Sequence, residues 1–478
     1  MQTPVVGFDL DMTLVDTRPG IAAVWDAVSA QTGVPVDSAA AVERLGPPLE
    51  DELARWYPEE RHAEVGDLFR SLYPGLAVTS SAALPGAREA VDAVRRHGGR
   101  VVVVTGKYEP NARLHLEHLG IEADEVVGWR WGEGKGETLR AHGATIYVGD
   151  HLGDILGARS AGALAVAVAS GPISAAELRA AGADAVLDSL EQFPGWFEEY
   201  LLGGRLAQLD SHLAGLDSVA VAFSGGADSA FLLAAAVRAL GADRVAAVTA
   251  VSASLPAAEL EAARAFAGGL GVRHLTPRTA EMDRAGYRAN DGDRCYFCKA
   301  ELLDVLAPIA AELGLAHVLT GTNADDAVAG FRPGIRAAAE RGAVTPLRDA
   351  GLTKAQVRAA SRRWGLSTWD KPAAACLSSR VAYGIEISPE RLARVERAER
   401  ALREALVAAG IEVADQRVRD LGDLARVEVD GDRVEQVRAV PAVLEAVLAA
   451  GFERVELDPR GFRSGAMNEL LGEPQRYR

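Results

Sequence analysis

The sequence predicts an α/β protein: two Rossmann-like parallel-sheet modules in series, followed by a smaller α+β unit. Three observations support this. Apolar, mostly Val-rich runs alternate with Ala/Leu-rich helical stretches: "VVGFDL" (5–10), "RVVVVTG" (100–106), "ATIYVGD" (144–150), "SVAVAFSGG" (218–226), "RVAAVTAV" (244–251) and "AHVLTG" (316–321). Strands apolar on both faces and separated by helices imply parallel sheets covered on both sides. The pattern occurs twice, one set closing near "AVLDSLEQFPGWF" (185–197) and the other starting after the helix "GRLAQLDSHLAGL" (204–216). After about residue 385 the texture changes. A long helix, "SPERLARVERAERALREALVAAG" (388–410), has Ser388 as N-cap and Pro389 at its first position. It leads into "QRVRDL", "ARVEVDG", a helix through "RVEQVRAVPAVLEAVLAAG" and a last strand "RVELDP".

The Gly-Gly of "LLGGR" places the first boundary near residue 203. The expected domains are 1–203, 204–384 and 385–478, with a helical insertion at 16–85. At 478 residues the chain exceeds one ordinary core. No apolar run approaches ~20 residues, so no membrane span is expected. "MQTPVVGFDLD" reads as the start of a buried strand rather than a leader, and three cysteines are too few for a disulfide scaffold. The expected location is the cytoplasm. The net charge of −16 argues against a protein that grips nucleic acid along its whole surface.

In the first module "FDLDMTLVD" puts Asp9 and Asp11 at the end of the first strand, followed by Thr13. The C-terminal edge of a parallel sheet is where ligands sit. Of two carboxylates one residue apart, one can attack as a nucleophile while the other handles the leaving-group proton. Further along, Thr105 ends "VVVVTG", Lys135 sits in "EGKGETL", and "YVGDHLGD" supplies Asp150 and Asp154. These four pieces, in this order, resemble the haloacid-dehalogenase-like phosphatases over about residues 1–195. The resemblance implies Asp9 as the phosphorylated nucleophile and Asp11 as general acid/base. It also implies Thr105 and Lys135 as phosphate-binding and charge-balancing groups. Mg²⁺ would be held by Asp9, Asp150, Asp154 and the Asp11 carbonyl, an oxygen set that suits this ion. Residues 16–85 would form the family's small cap. Met12 stands where the family often has Gly.

In the second module "AVAFSGGADSAFLL" runs strand, Gly-rich turn, helix. Gly225 and Gly226 let backbone amides approach an anion, Ser224 and Ser229 add hydroxyls, and the helix directs its positive end there. The loop lacks the Lys of a Walker A motif. Ser-Gly-Gly-x-Asp-Ser resembles the PP-loop of ATP pyrophosphatases, with Asp228 assigned to Mg²⁺ and pyrophosphate and Asn323 and Asp325 to the same crevice. "AVTAVSASLPAAEL", "RCYFCK", "LTGTNADDAVAGFRPG", "TPLRDAGLTKAQVR", "WDKPAAACLSSR" and "LDPRGFRSGAMNELL" follow in turn. Their order over about 204–478 resembles the LarE family of ATP-dependent sulfur transferases, which build the nickel-pincer nucleotide cofactor. The resemblance implies that ATP activates a carboxylate of a pyridinium dicarboxylate mononucleotide as an acyl adenylate, which a sulfur donor converts to a thiocarboxylate.

The three cysteines are Cys295 and Cys298, in C-x-x-C spacing, and the distant Cys376. In some family members a cysteine in the motif matching Cys376 gives up its own sulfur. Three cysteines instead suggest a 4Fe–4S cluster with one iron free of protein ligand, able to carry the sulfur. A zinc site with His274 as fourth ligand, a catalytic thiol pair and incidental thiols are the alternatives. Arg380, Arg417, Arg419, Arg463 and Ser464 are candidate contacts for an anionic nucleotide. A tRNA thiolase, which also combines a PP-loop with three cysteines, is the competing class. The acidic charge disfavours it, as does the presence after residue 200 of only Lys299, Lys354 and Lys371. The expected partners are a small nucleotide substrate and further copies of the chain.

Overall fold

The structure is a computed structural model that describes residues 3–45, 48–328, 332–372, 376–463 and 467. Its chain divides into two compact units, Met1–Leu201 and Leu202–Arg478. The cut falls inside one helix, Phe193–Ala214, which runs straight through Gly203 and Gly204. The boundary expected near residue 203 thus lies two residues from the division between the units, although the helix does not end there. Each helical glycine costs about 1 kcal/mol. That cost is offset by burial: Phe193, Phe197 and Leu201 sit in the first unit's core, and Leu202, Leu209 and Leu213 in the second's.

In the first unit six parallel strands lie in the order Glu125–Val127, Arg100–Val104, Val5–Phe8, Ile146–Gly149, Leu164–Val168, Ala185–Leu187. Val5–Phe8 is fully buried because neighbours pair on both sides, Val6 with Val101 and with Ile146. Chain order reverses across this strand, so its carboxyl end opens into a crevice. A two-stranded ribbon, Val15–Asp16 with Ala82–Ala83, leads into the cap and out of it. The cap helices Arg18–Thr32, Ser38–Glu43, Leu49–Trp56 and His62–Leu76 enclose a separate core around Trp25, Phe69 and Tyr73.

In the second unit the parallel strands run in the order Arg273–Leu275, Val245–Val248, Val219–Ala222, His317–Thr320. Val219–Ala222 occupies the reversal point, with the helix Ala227–Leu240 following its Gly-rich turn. The chain then builds a three-stranded sheet, Gln416–Asp420 antiparallel to Leu424–Val429, which is parallel to Arg454–Leu457. This sheet's core draws in Tyr287, Leu377 and Val381, ahead of the expected start at 385. The long helix covers Pro389–Ala408, with Ser388 Oγ accepting the Arg391 amide. The helix expected through "RVEQVRAVPAVLEAVLAAG" is two, Val434–Arg438 and Pro441–Leu448. Pro441 cannot donate an amide and disfavours helical backbone at Val440. Among the described residues no helix is long and apolar enough to cross a membrane.

Candidate active sites

The first crevice gathers the acids from two adjacent strand ends. Asp9 follows Val5–Phe8, its amide bonded to the Val148 carbonyl at 2.8 Å, and Asp150 follows Ile146–Gly149. Asp154 lies in the first turn of the helix Leu152–Ala161 and caps it by accepting the His151 amide. One carboxylate oxygen from each of the three lies within 4.8 Å of the others. The crowding needs room that only glycine leaves. A Cβ on Gly149 would stand 2.3 Å from Asp154 Cγ, and one on Gly171 would stand 1.8 Å from Asp150 Oδ2. Lys135, fully buried, reaches into the group, 2.6 Å from Asp154 Oδ1 and 3.0 Å from Asp9 Oδ1.

Burial, moderated by Lys135 and reinforced by Asp154 and Asp11, pushes the Asp9 carboxyl up to about 7. Burial, then Asp154 and Asp9, pushes Asp150 up as well. For Lys135 the pull of Asp154 and Asp9 outweighs burial and raises its pKa. One lysine does not neutralise three acids, and Asp9 Oδ1 has no hydrogen bond despite the nearby ammonium. A divalent cation with oxygen ligands fits this deficit, and Mg²⁺ is such an ion.

Asp11 is a different kind of carboxylate. Its side chain turns to Thr17 Oγ1 (2.6 Å) and Lys107 Nζ (2.8 Å), and Tyr73 OH accepts a bond from the same ammonium at 2.6 Å. Burial acts to raise its pKa, but Lys107 and Thr17 prevail and hold it below the ordinary range. Its side chain is therefore outside the acid trio. Lys107 is the residue sequence reasoning missed, although it stands two places after Thr105 at the same strand exit. Thr105 Oγ1 accepts the Lys107 amide at 3.2 Å. Met12 is buried at φ 58°, so the position where relatives often carry Gly holds the left-handed backbone that Gly favours.

In the second crevice Gly225 turns at φ 71° and opens the way to the helix Ala227–Leu240. Ser224 Oγ and Ser229 Oγ lie 3.1 Å apart, and the Ser229 hydroxyl accepts the Ser224 amide. A cavity of about 300 Å³ is lined by Ser224, Gly226, Asp228, Ser229, Lys299 and Asp326. Lys354 Nζ donates to Asp228 Oδ2, and Lys371 Nζ to the Gly225 carbonyl and Glu259. All three lysines after residue 200 thus surround this loop, and their rarity on an Arg-rich chain was the signal to follow. Asn323 and Asp325 do not line this cavity as expected. Asn323 Oδ1 caps the short helix Ala324–Val328 by accepting the Asp326 amide, and Asp325 accepts the Lys354 amide.

The model for haloacid dehalogenase-like hydrolases matches residues 6–159, and the model for NAD synthase matches 208–295. A phosphoglycolate phosphatase of Chromobacterium violaceum is 30% identical over 39% of this chain and 93% of its own length. An uncharacterized protein of Synechocystis is 42% identical over 57% of this chain and 99% of its own. The pyridinium-3,5-bisthiocarboxylic acid mononucleotide synthase of Lactiplantibacillus plantarum is 34% identical over 57% of this chain and 97% of its own. The chain joins a haloacid dehalogenase-like hydrolase to a member of this synthase's family. It is an enzyme in both halves.

Two segments of the synthase half carry its thiols. Cys295 and Cys298 occupy the first turns of the helix Arg294–Glu312, three residues apart and so on one face. Cys376 precedes the turn Leu377–Arg380. Two bonds tie the segments: Tyr287 OH to Ser378 Oγ at 2.6 Å, and Arg294 Nη1 to the Ser378 carbonyl at 2.9 Å. Burial first, then Cys376 and Glu281, raise the Cys298 thiol. Cys295 is exposed on its helix; desolvation and then Cys376 still raise its thiol, against the pull of Arg294. Among the described residues the aspartate trio, and no group that includes a thiol, has its ligand atoms within 4.8 Å of one another. His274, the fourth ligand in the alternative zinc reading, bonds Thr249 Oγ1 at 2.8 Å from its strand.

The candidate substrate arginines divide. Arg380 pairs with Glu399 through two bonds and donates to the Cys376 carbonyl, so it braces the thiol segment. Arg419 is tied to Glu428 and the Ser379 carbonyl. Arg417 packs over Phe462, and with Arg380 it lines a cavity of about 910 Å³. Burial and the neighbouring Arg380 lower its pKa, a balance that a bound anion would reverse. Arg463 is half-buried, and Ser464 lies outside the described residues.

Proposed function

We propose that the second half is an ATP-dependent sulfur transferase of nickel-pincer nucleotide biosynthesis and that the first half is a phosphomonoesterase. The likeness to the synthase over nearly its whole length carries the first reading, and the buried aspartate trio around Lys135 carries the second. In the synthase half the Ser224–Ser229 loop holds the β- and γ-phosphates of ATP while a carboxylate of a pyridinium dicarboxylate mononucleotide attacks the α-phosphorus. The P–O bond to pyrophosphate breaks, and an acyl adenylate forms. Sulfide then displaces AMP to leave a thiocarboxylate. Cys295, Cys298 and Cys376 would hold a 4Fe–4S cluster that supplies a site for the incoming sulfide. Lys354 and Lys371 exchange their present partners for phosphate oxygens.

In the phosphatase half Asp9, as a carboxylate, attacks phosphorus as the bond to the leaving oxygen breaks. The anionic substrate draws Lys107 away from Asp11, which takes up a proton from solvent on substrate binding and gives it to the leaving alkoxide. Asp11, again a carboxylate, then takes a proton from the water that hydrolyses the aspartyl phosphate. Lys135 balances charge on Asp9 and Asp154, and Thr105 contacts the phosphoryl oxygens. Mg²⁺ held by Asp9, Asp150 and Asp154 supplies further neutralisation. Full-length protein given ATP, the dicarboxylate mononucleotide and sulfide should release AMP and pyrophosphate in step with thiocarboxylate. Release of ADP and phosphate would overturn the first reading, and transfer of sulfur to tRNA would replace the substrate. Phosphate-ester hydrolysis that survives Asp9→Asn would overturn the second.

A further inference from the structure

The phosphatase cavity measures about 600 Å³ and runs from Asp9, Asp11 and Asp150 to the cap. That size suits a small organic ligand rather than a bare phosphate. Its outer wall carries Trp129 and Tyr108, 59% and 41% exposed, with ring centroids 5.6 Å apart. An exposed tryptophan beside a catalytic crevice gains nothing from burial in the free enzyme. Trp129 also sits at φ 57°, a left-handed backbone that bulky residues avoid and that clusters at functional sites.

The surrounding chain enforces this placement. The Trp129 amide donates to the Lys107 carbonyl at 3.0 Å, and the Arg130 amide to the Thr105 carbonyl at 2.9 Å. A Cβ on Gly128 would stand 2.5 Å from the Glu109 amide nitrogen. The two rings are thus fixed to the strand exit that bears Thr105 and Lys107. At the cap end the cavity is lined by cations that already have acidic partners. Arg44 and Arg55 pair with Glu52, and Arg70 with Asp67 and Glu50.

We propose that this cavity selects aromatic mononucleotides, with the phosphate at Asp9 and the flat heteroaromatic base on the ledge of Trp129 and Tyr108. The inference rests on the phosphatase reading and deepens it. Stacking on an aromatic face is open to any planar base. The class includes both the AMP that the second half would release and the pyridinium mononucleotides it would use.

The test compares kcat/KM of the full-length Mg²⁺-loaded protein for 5′-AMP, nicotinamide mononucleotide, ribose 5-phosphate and phosphoglycolate, after subtraction of the Asp9→Asn background. Ribose 5-phosphate differs from the nucleotides in lacking the base. At least one nucleotide should exceed it about tenfold or more. Trp129→Ala should bring that ratio towards one, and Trp129→Phe should keep most of it. A wild-type ratio near one, or a ratio unchanged in Trp129→Ala, overturns the inference while leaving the phosphatase in place. Hydrolysis of none of these esters nor of p-nitrophenyl phosphate overturns the phosphatase reading itself. In that case quenching of tryptophan fluorescence by 5′-AMP, lost in Trp129→Ala, would still support the ledge, and no quenching would overturn it.

Discussion

The two anion-handling crevices solve opposite problems. In the mechanism proposed for the first unit the reacting atom belongs to the protein, and the groups around Asp9 are buried and already crowded against it: Asp150, Asp154 and a fully enclosed Lys135. In the second unit the phosphates arrive with the ligand, and the polar groups meanwhile satisfy one another. Ser224 faces Ser229, Lys354 holds Asp228, and Lys371 holds Glu259, with both lysines part-exposed. A protein nucleophile needs its charges fixed in advance, because reorganising them during reaction is costly. A ligand-gripping loop needs partners it can release.

The comparison breaks most sharply at the nucleophile. Asp9→Asn should lower phosphate-ester hydrolysis on the order of 10⁴-fold or more, as loss of a covalent nucleophile does, while AMP and pyrophosphate formation stays unchanged. Parallel assays of both activities on one preparation check this. A matching loss of adenylation would show that the units are not independent.

The thiols come next. Anaerobically prepared protein should be brown, contain iron and acid-labile sulfide, and turn over more than once per chain when sulfide is supplied. Cys295→Ala or Cys298→Ala should remove colour and multiple turnovers while adenylation survives. Intact mass after turnover decides the alternative. Loss of one H₂S from Cys376, with full single-turnover activity in the double variant, would replace the cluster by a sacrificial cysteine.

Lysine substitutions sharpen the contrast between fixed and exchangeable charge. Lys135→Met leaves Asp9 and Asp154 buried without their counter-ion, and in Mg²⁺-free buffer should cost the first unit about 3–5 kcal/mol. Lys371→Met removes a part-exposed partner of Glu259 and Gly225. It should leave unfolding almost unchanged and raise the KM for ATP roughly tenfold. Chemical denaturation and ATP titration of the two variants separate these outcomes. If both behaved alike, the contrast would fail.

The same contrast explains what the sequence made legible. Strand-end acids follow from chain order alone, because a parallel sheet gathers its ligands at the carboxyl edge. Asp9, Asp150 and Asp154 were therefore readable at a separation of more than 140 residues. Lys107 was not, because its role comes from facing Asp11 and Tyr73, and Tyr73 reaches the site only through the cap. Gly203-Gly204 marked the division between the two units to within two residues but did not end the helix, because packing at both of its ends outweighed local preference; at Pro441 the local rule prevailed. Asp325 misled for a further reason. Residue type and proximity in sequence do not say which partner a polar group takes, and the Lys354 amide was already there.

The smallest expected effect concerns how the first unit keeps its cap in order. His115 is fully buried, its Nε2 3.0 Å from Tyr73 OH and its Nδ1 2.9 Å from Ser81 Oγ. Burial first, and then the Lys107 ammonium, push its pKa down from 6.5 to about 4, against the weaker pull of Asp11. The native state thus holds the ring neutral over a range in which the unfolded chain is protonated. Between pH 6.5 and about 4 the unfolded state binds more protons, so stability is full above that window and falls as the pH is lowered through it. The shift corresponds to about 3 kcal/mol, reached only below the lower value. Carboxylates elsewhere titrate in the same range, so the informative quantity is the difference between wild type and His115→Gln. Denaturant unfolding of the first unit at pH 7.5, 6, 5 and 4.5 should show the wild type losing more stability than the variant at each downward step. Parallel curves would mean that the ring between Tyr73 and Ser81 takes up a proton in the folded state as easily as in the unfolded one.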